Sequence, residues 1–157
     1  MSTQTRDYPE DIIYDFLKSQ YIAYRNALAD PNDLPVDTDI LWGEPKSELI
    51  PYSFVVLRDS TSRVYPYLGQ SKVKYSALCI ARFGITWTLA GKPPYLNEWE
   101  EFIDYQVSKN QIATYFKNKG IDSIRAGISS IIEPRDPEID QWVLNVQIFA
   151  TYMRTFT

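Results

Sequence analysis

The chain has no histidine and one cysteine among its 157 residues. Without imidazole there is no Ser-His-Asp or Cys-His catalysis, no common zinc site, and no His acid or base near neutral pH. A single thiol makes no intrachain disulfide and no Cys-x-x-Cys redox or metal pair. No apolar run approaches the roughly 18 residues of a membrane-spanning helix. No Asn-x-Ser/Thr sequon occurs. The opening residues, Met-Ser-Thr-Gln-Thr-Arg, lack the apolar stretch of a signal peptide. These absences lead us to expect a non-enzyme with no cofactor and no metal, off the membrane and assembled in a cytosol.

What is present is aromatic and apolar. There are 12 Tyr, 7 Phe and 4 Trp, and 45% of the residues are hydrophobic. That is enough to bury a core, so a mostly disordered chain is excluded, and the length fits one domain spanning residues 1–157. The net charge of -4 is mild. Its distribution is not. Residues 1–50 carry 10 acids against 4 bases, residues 51–92 carry 6 bases against 1 acid, and residues 93–157 carry 9 acids against 6 bases. Such segregation serves pairing within one fold or head-to-tail docking between copies.

A first helix starts near Asp7, with Glu10 as capping partner and Pro9 in the first turn, and carries Ile13, Leu17, Tyr21, Tyr24 and Leu28 at helical spacing. It ends at Asp30-Pro31. Residues 30–50 hold Pro31, Pro35 and Pro45, several carboxylates, and the apolar trio Ile40-Leu41-Trp42. They read as an extended acidic arm docked on its own sheet or on a neighbouring copy. Strands follow at 52–58, at 63–68 after a polar Asp59-Ser60-Thr61-Ser62 turn, and at 75–89 with period two. A second helix runs from an Asn97 cap to Gly120. Two strands close the chain at 121–132 and 141–154, with Ile124, Ala126, Ile128, Ser130 and Ile132 expected on one side of the first. The order α-β-β-β-α-β-β predicts an α+β fold: an antiparallel-rich sheet of about five strands with two helices packed on one face.

Searches for chemistry end in ordinary structural readings. The acids Asp30, Asp33, Asp37, Asp39 and Glu44 lack calcium-loop spacing and read as a solvated arm. Glu133, Asp136, Glu138 and Asp140 read as an exposed turn rather than a paired-carboxylate centre. Gly91-Lys92 has neither the upstream glycine nor the following hydroxyl of a phosphate loop. Cys79 falls on the apolar face of a strand, as a small core residue. Tyr65, Tyr67 and Tyr75 near Arg63, Lys72 and Lys74 suit either packing against a protein partner or base stacking.

Several features together resemble the neck or tail terminator proteins of tailed bacteriophages. They are the N-terminal helix, the Ile50-Pro51-Tyr52 strand entry and the long Ala81-Arg82-Phe83-Gly84-Ile85-Thr86-Trp87 strand. The Glu98-Trp99-Glu100-Glu101-Phe102 helix start and the closing strand ending in Ile148-Phe149-Ala150-Thr151-Tyr152-Met153-Arg154 complete them. The resemblance covers most of residues 8–157. It rests on element order, and the 30–50 arm has no counterpart role to carry over. It implies a virion protein that forms a homohexameric ring at the head-proximal end of the tail. That ring ends tail-tube polymerisation and meets the tube, sheath or neck and head-completion proteins. DNA passes through its lumen without sequence-specific binding. No catalytic residues are implied. For a ring, the expected contact residues are Arg58, Arg63, Lys72 and Lys74 on one side and Asp33, Asp37 and Asp39 on the other, with Trp42 anchoring the arm. The alternative is a small nucleic-acid- or peptide-binding module that uses the basic-aromatic hairpin.

Overall fold

Pro9 at the first helical position and Glu10 and Asp11 in the first turn start helix α1 (Pro9–Asn26), and Arg25 complements its last turn. Its stripe of Ile12, Ile13, Phe16, Leu17 and Tyr21 is buried. The computed structural model describes residues 8–43, 52–66, 72–86, 95–109, 114–132 and 141–155. The expected Asp7 cap therefore lies outside the described residues, and Tyr8 occupies the cap position.

After α1 come two single 3₁₀ turns, at Pro31–Asp33 and Asp37–Asp39, and a short strand β1 (Ile40–Trp42). Four longer strands are β2 (Tyr52–Pro66), β3 (Lys72–Thr86), β4 (Ile121–Ile132) and β5 (Gln141–Thr155). Between β3 and β4 lie α2 (Tyr95–Lys109) and a single-turn helix α3 (Thr114–Asn118). The sheet order is β1-β2-β3-β5-β4, parallel only at β1–β2. The fold is α+β with the helices packed on one face, as the sequence predicts.

Three details differ from the sequence reading. Asp59 to Ser62 do not turn. β2 runs through them and pairs with β3 as far as Pro66, with a register shift between Arg58 and Ser60. Their polarity reflects exposure, since residues 58–63 are all solvent-facing. Asn97 lies inside α2, two residues after its start, and of the helix expected to run to Gly120 the segments Tyr95–Lys109 and Thr114–Asn118 are helical, while 110–113 lie outside the described residues. Gly120 does follow the second of them at a φ of 92°, the backbone region that favours glycine. Its backbone carbonyl accepts from the Met153 N–H at 3.2 Å.

The third difference is in β4. Ala126 opposes Ile148 and Ser129 opposes Val146, so Gly127 and Ile128 together face Gln147 in a bulge. The extra residue changes which face each later side chain takes. Ile124 and Ala126 point with the buried β5 row, whereas Ile128, Ser130 and Ile132 emerge on the opposite face.

The core lies between the helices and one sheet face. Ala77, Cys79, Ala81, Phe83 and Ile85 of β3 meet Trp142, Leu144, Val146, Ile148 and Ala150 of β5 in register. Trp99 of α2 sits at the centre, fully buried, with its ring stacked on Phe83 at 4.2 Å, Phe54 at 4.8 Å and Tyr21 at 5.0 Å. Aromatic pairs of this kind contribute roughly 0.5–1.5 kcal/mol each beyond area burial.

Candidate interaction surface

The acidic arm, as far as it is described, docks on its own chain. Leu34 and Ile40 are buried. The Tyr21 hydroxyl donates to the Pro35 carbonyl, and Arg25 Nε donates to the Leu34 carbonyl at 3.0 Å. Trp42 packs edge-on to Tyr21 at 5.4 Å and Phe54 at 5.7 Å, and its Nε1 donates to the Asp37 carbonyl at 3.4 Å. Trp42 is thus an intrachain anchor. Of the three arm acids, Asp33 and Asp39 are exposed and Asp37 is half-buried.

The expected basic cluster is divided between the two sheet faces. Arg58 opposes buried Cys79 and turns toward the helices, where its Nε stands 3.7 Å from Glu10 Oε1 and its guanidinium lies 5.2 Å over the Tyr8 ring. Arg63 opposes Tyr75 on the same side and is exposed. Lys74 points to the other face, paired with Asp122 at 3.2 Å. Lys72 is placed only by its backbone, opposite Thr155. Strand alternation, shifted by one residue at the β2 bulge, separates residues that are close in sequence. Two of these cations already have carboxylate partners within the chain.

The sheet face away from the helices was not singled out by the sequence. Among the described residues no element covers it. β2 gives it Val55 and Leu57; β3 gives Leu78, Ile80 and Arg82; β5 gives Val143, Asn145, Gln147 and Phe149. β4 adds Arg125, Ile128 and Ile132. The aliphatic side chains of β2, β3 and β5 are half-buried, while Ile128 is 72% and Ile132 51% exposed. Arg82 Nε donates to Asn145 Oδ1 at 3.2 Å, and the Arg125 guanidinium lies 4.4 Å over the Phe149 ring. Neither arginine has a carboxylate partner among the described residues. A shallow cleft of about 290 Å³ opens between Asp59, Ile80, Arg82, Ile128 and Asn145. The signal for this face was in the sequence: alternation along β3 and β5 leaves Leu78, Ile80, Val143 and Phe149 off the core row.

The helix layer carries a cluster of acids, with Lys18 of α1 and Lys109 of α2 also exposed on it. Glu101 and Asp104 are exposed on α2, with Glu98 and Glu100 half-buried beside them, and Asp11 and Asp15 are exposed on α1. Burial first, then Glu100 and Glu101, push the Asp104 carboxyl above the ordinary range. Burial first, then Glu101 and Asp33, do the same to Glu98. Glu98, Glu100, Glu101 and Asp104 therefore form one mutually repelling patch that includes Asp33 of the arm. The same layer exposes Ile22 at 52% and Tyr105 at 46%.

Nothing described resembles a reaction centre. Cys79 is buried, and desolvation pushes its thiol up to about 12. Among the described residues no three His, Cys, Asp or Glu side chains gather as a metal site. A second cleft of about 290 Å³ lies between α1 and α2, lined by Ala23, Tyr24, Tyr105 and Lys109 among others, with no carboxylate in its wall. The carboxylates Glu44, Glu133, Asp136, Glu138 and Asp140, Gly91-Lys92, and Tyr67 lie outside the described residues. No helix among the described residues is long and apolar enough to cross a membrane. The chain matches no family model and no curated protein.

Proposed function

We propose that the protein is a structural subunit of a phage virion. It forms a ring at the head-proximal end of the tail, ends tail-tube polymerisation and joins the tail to the neck or head. The observation that supports this reading best is the pairing of two unlike surfaces on one small domain. One is an uncovered, apolar and arginine-bearing sheet face, and the other is a helix layer with an acidic patch on α2. Copies joined through unlike surfaces close into rings when the rotation between them permits. The sequence resemblance to tail terminators points the same way, and no catalytic role is part of the reading. Its partners are other copies of the chain and the tail and neck proteins above and below, with DNA passing through the lumen unread.

The nucleic-acid- or peptide-binding alternative draws less support, because Lys74 of its basic cluster is paired with Asp122 and points to the sheet face opposite Arg63. Electron microscopy and native mass spectrometry of the purified protein test the ring reading. The expected result is a closed ring of copies that caps isolated tail tubes. A protein that stays monomeric and leaves tubes uncapped overturns it.

A further inference from the structure

We infer that the open sheet face is covered by the helix layer of a second copy, with Arg82 and Arg125 of one subunit set against Glu101 and Asp104 of the next. The inference rests on the ring reading above and names the two surfaces that would build the ring.

Three observations carry it. The first is charge. Arg82 and Arg125 are exposed cations without a carboxylate partner among the described residues, whereas Glu101 and Asp104 are exposed anions in a patch that repels itself. A cationic neighbour relieves both conditions at once. The second is apolar area. Ile128 and Ile132 stand exposed on the sheet face, and Ile22 and Tyr105, the latter bonded to Lys109, stand exposed on the helix layer. Each surface thus offers apolar side chains beside its charges, as interface cores do. The third is size. Four strands at ordinary spacing, each contributing about ten residues, present a flat area of roughly 600 Å². Side-chain relief brings the accessible area near the roughly 800 Å² per partner of a stable complex. Because the two surfaces differ and lie on opposite sides of the domain, the contact is head-to-tail.

Charge reversal in two complementary variants tests this in the full chain. Variant one carries Arg82→Glu and Arg125→Glu; variant two carries Glu101→Lys and Asp104→Lys. All four positions are exposed, and circular dichroism checks that both variants fold. Each alone places like charges across the contact, so its self-association weakens by about a hundredfold or more in sedimentation and native mass spectrometry. Mixed one to one, each contact in an alternating assembly pairs opposite charges, so assembly returns. Retained assembly of either variant alone overturns the surface assignment and leaves the ring reading standing. Loss of assembly without rescue on mixing also overturns it, since the sheet face then meets something other than the helix layer. A monomeric wild-type protein overturns the ring reading itself and this inference with it.

Discussion

The ring of Phe149 lies over Gly127. A Cβ built on Gly127 would stand 2.5 Å from Phe149 Cε2 and 3.4 Å from Gln147 Cβ. The β4 bulge therefore gives space to a neighbouring aromatic, which Arg125 covers from above. Gly127→Ala forces the Phe149 ring aside and is expected to destabilise the protein by about 1–2 kcal/mol, an overpacking cost. Phe149→Leu takes away the ring that clashes. In that background the Gly127→Ala penalty should fall by at least about 0.5 kcal/mol, the size of coupling expected of residues in contact. Urea denaturation of the four proteins in the cycle measures it.

Trp42 carries the arm. It is the side chain of residues 30–43 that meets Tyr21, Phe54 and Trp99 together. Trp42→Ala is expected to cost about 3 kcal/mol, at the low end for a large aromatic because Trp42 is only half-buried. The arm should then become the first site of limited proteolysis. Tyr21→Phe is the milder probe. It leaves the Pro35 carbonyl without its hydroxyl donor and should cost about 1–2 kcal/mol. Both effects should be independent of protein concentration, because the contacts are within one chain.

Most of the fold could be read in the sequence because burial is periodic. The alternation of Ala77, Cys79, Ala81 and Phe83 in β3 and of Leu144, Val146 and Ile148 in β5 marks the core face directly. What could not be read were the places where one residue is inserted. The bulge after Arg58 lets four polar residues continue a strand instead of turning. The bulge at Gly127 moves Ile128 and Ile132 from the expected core row to the open face. Such insertions depend on the partner strand, which a single segment does not reveal. The apolar row of the candidate surface was legible in the alternation of β3 and β5, but the meeting of its arginines was not. Arg82 and Arg125 are 43 positions apart in sequence and reach one face only after β5 comes between their strands.

Asp122 ties the end of β4 to β3 and β5. Burial alone would raise its pKa, but the Thr151 hydroxyl and the Lys74 ammonium outweigh that and hold it below the ordinary 3.8. A depressed folded-state pKa means that this contribution is complete above the unfolded value and is lost as pH falls through the folded one. Lys74 is 32% and Asp122 39% exposed, so the contribution of the pair is under about 1 kcal/mol. Asp122→Asn should lower stability at neutral pH by that amount and make no difference once the medium is acid enough to protonate the native carboxyl. Thermal melts of both proteins across the acid range check the convergence.

Cys79 should be silent in the native protein. It is fully buried on the helix side of β3, and desolvation, with Glu10 adding to it against Arg58, pushes its thiol up to about 12. Only the thiolate attacks an electrophile. Aromatic disulfide reagents should therefore modify it at neutral pH only as fast as the chain opens. The rate should rise with denaturant in step with unfolding. Fast stoichiometric labelling without denaturant would contradict the burial.

Glu101 tests whether the acidic patch serves the fold or the contact. It adds to the raised pKa of both Glu98 and Asp104, after burial in each case. A carboxylate whose folded-state pKa is raised contributes stability that is present below its unfolded value and lost as pH rises through the folded one. At neutral pH the patch therefore works against the isolated fold. Glu101→Gln should stabilise a single chain at neutral pH by a few tenths of a kcal/mol, the size of a like-charge pair on a helix. The gain should vanish on acidification, and the Asp104 pKa, followed by carboxyl NMR, should move down toward the ordinary value. If the patch exists for the neighbouring subunit's arginines, the same substitution weakens self-association while it strengthens the fold. Opposite signs in the two measurements separate a contact residue from a structural one.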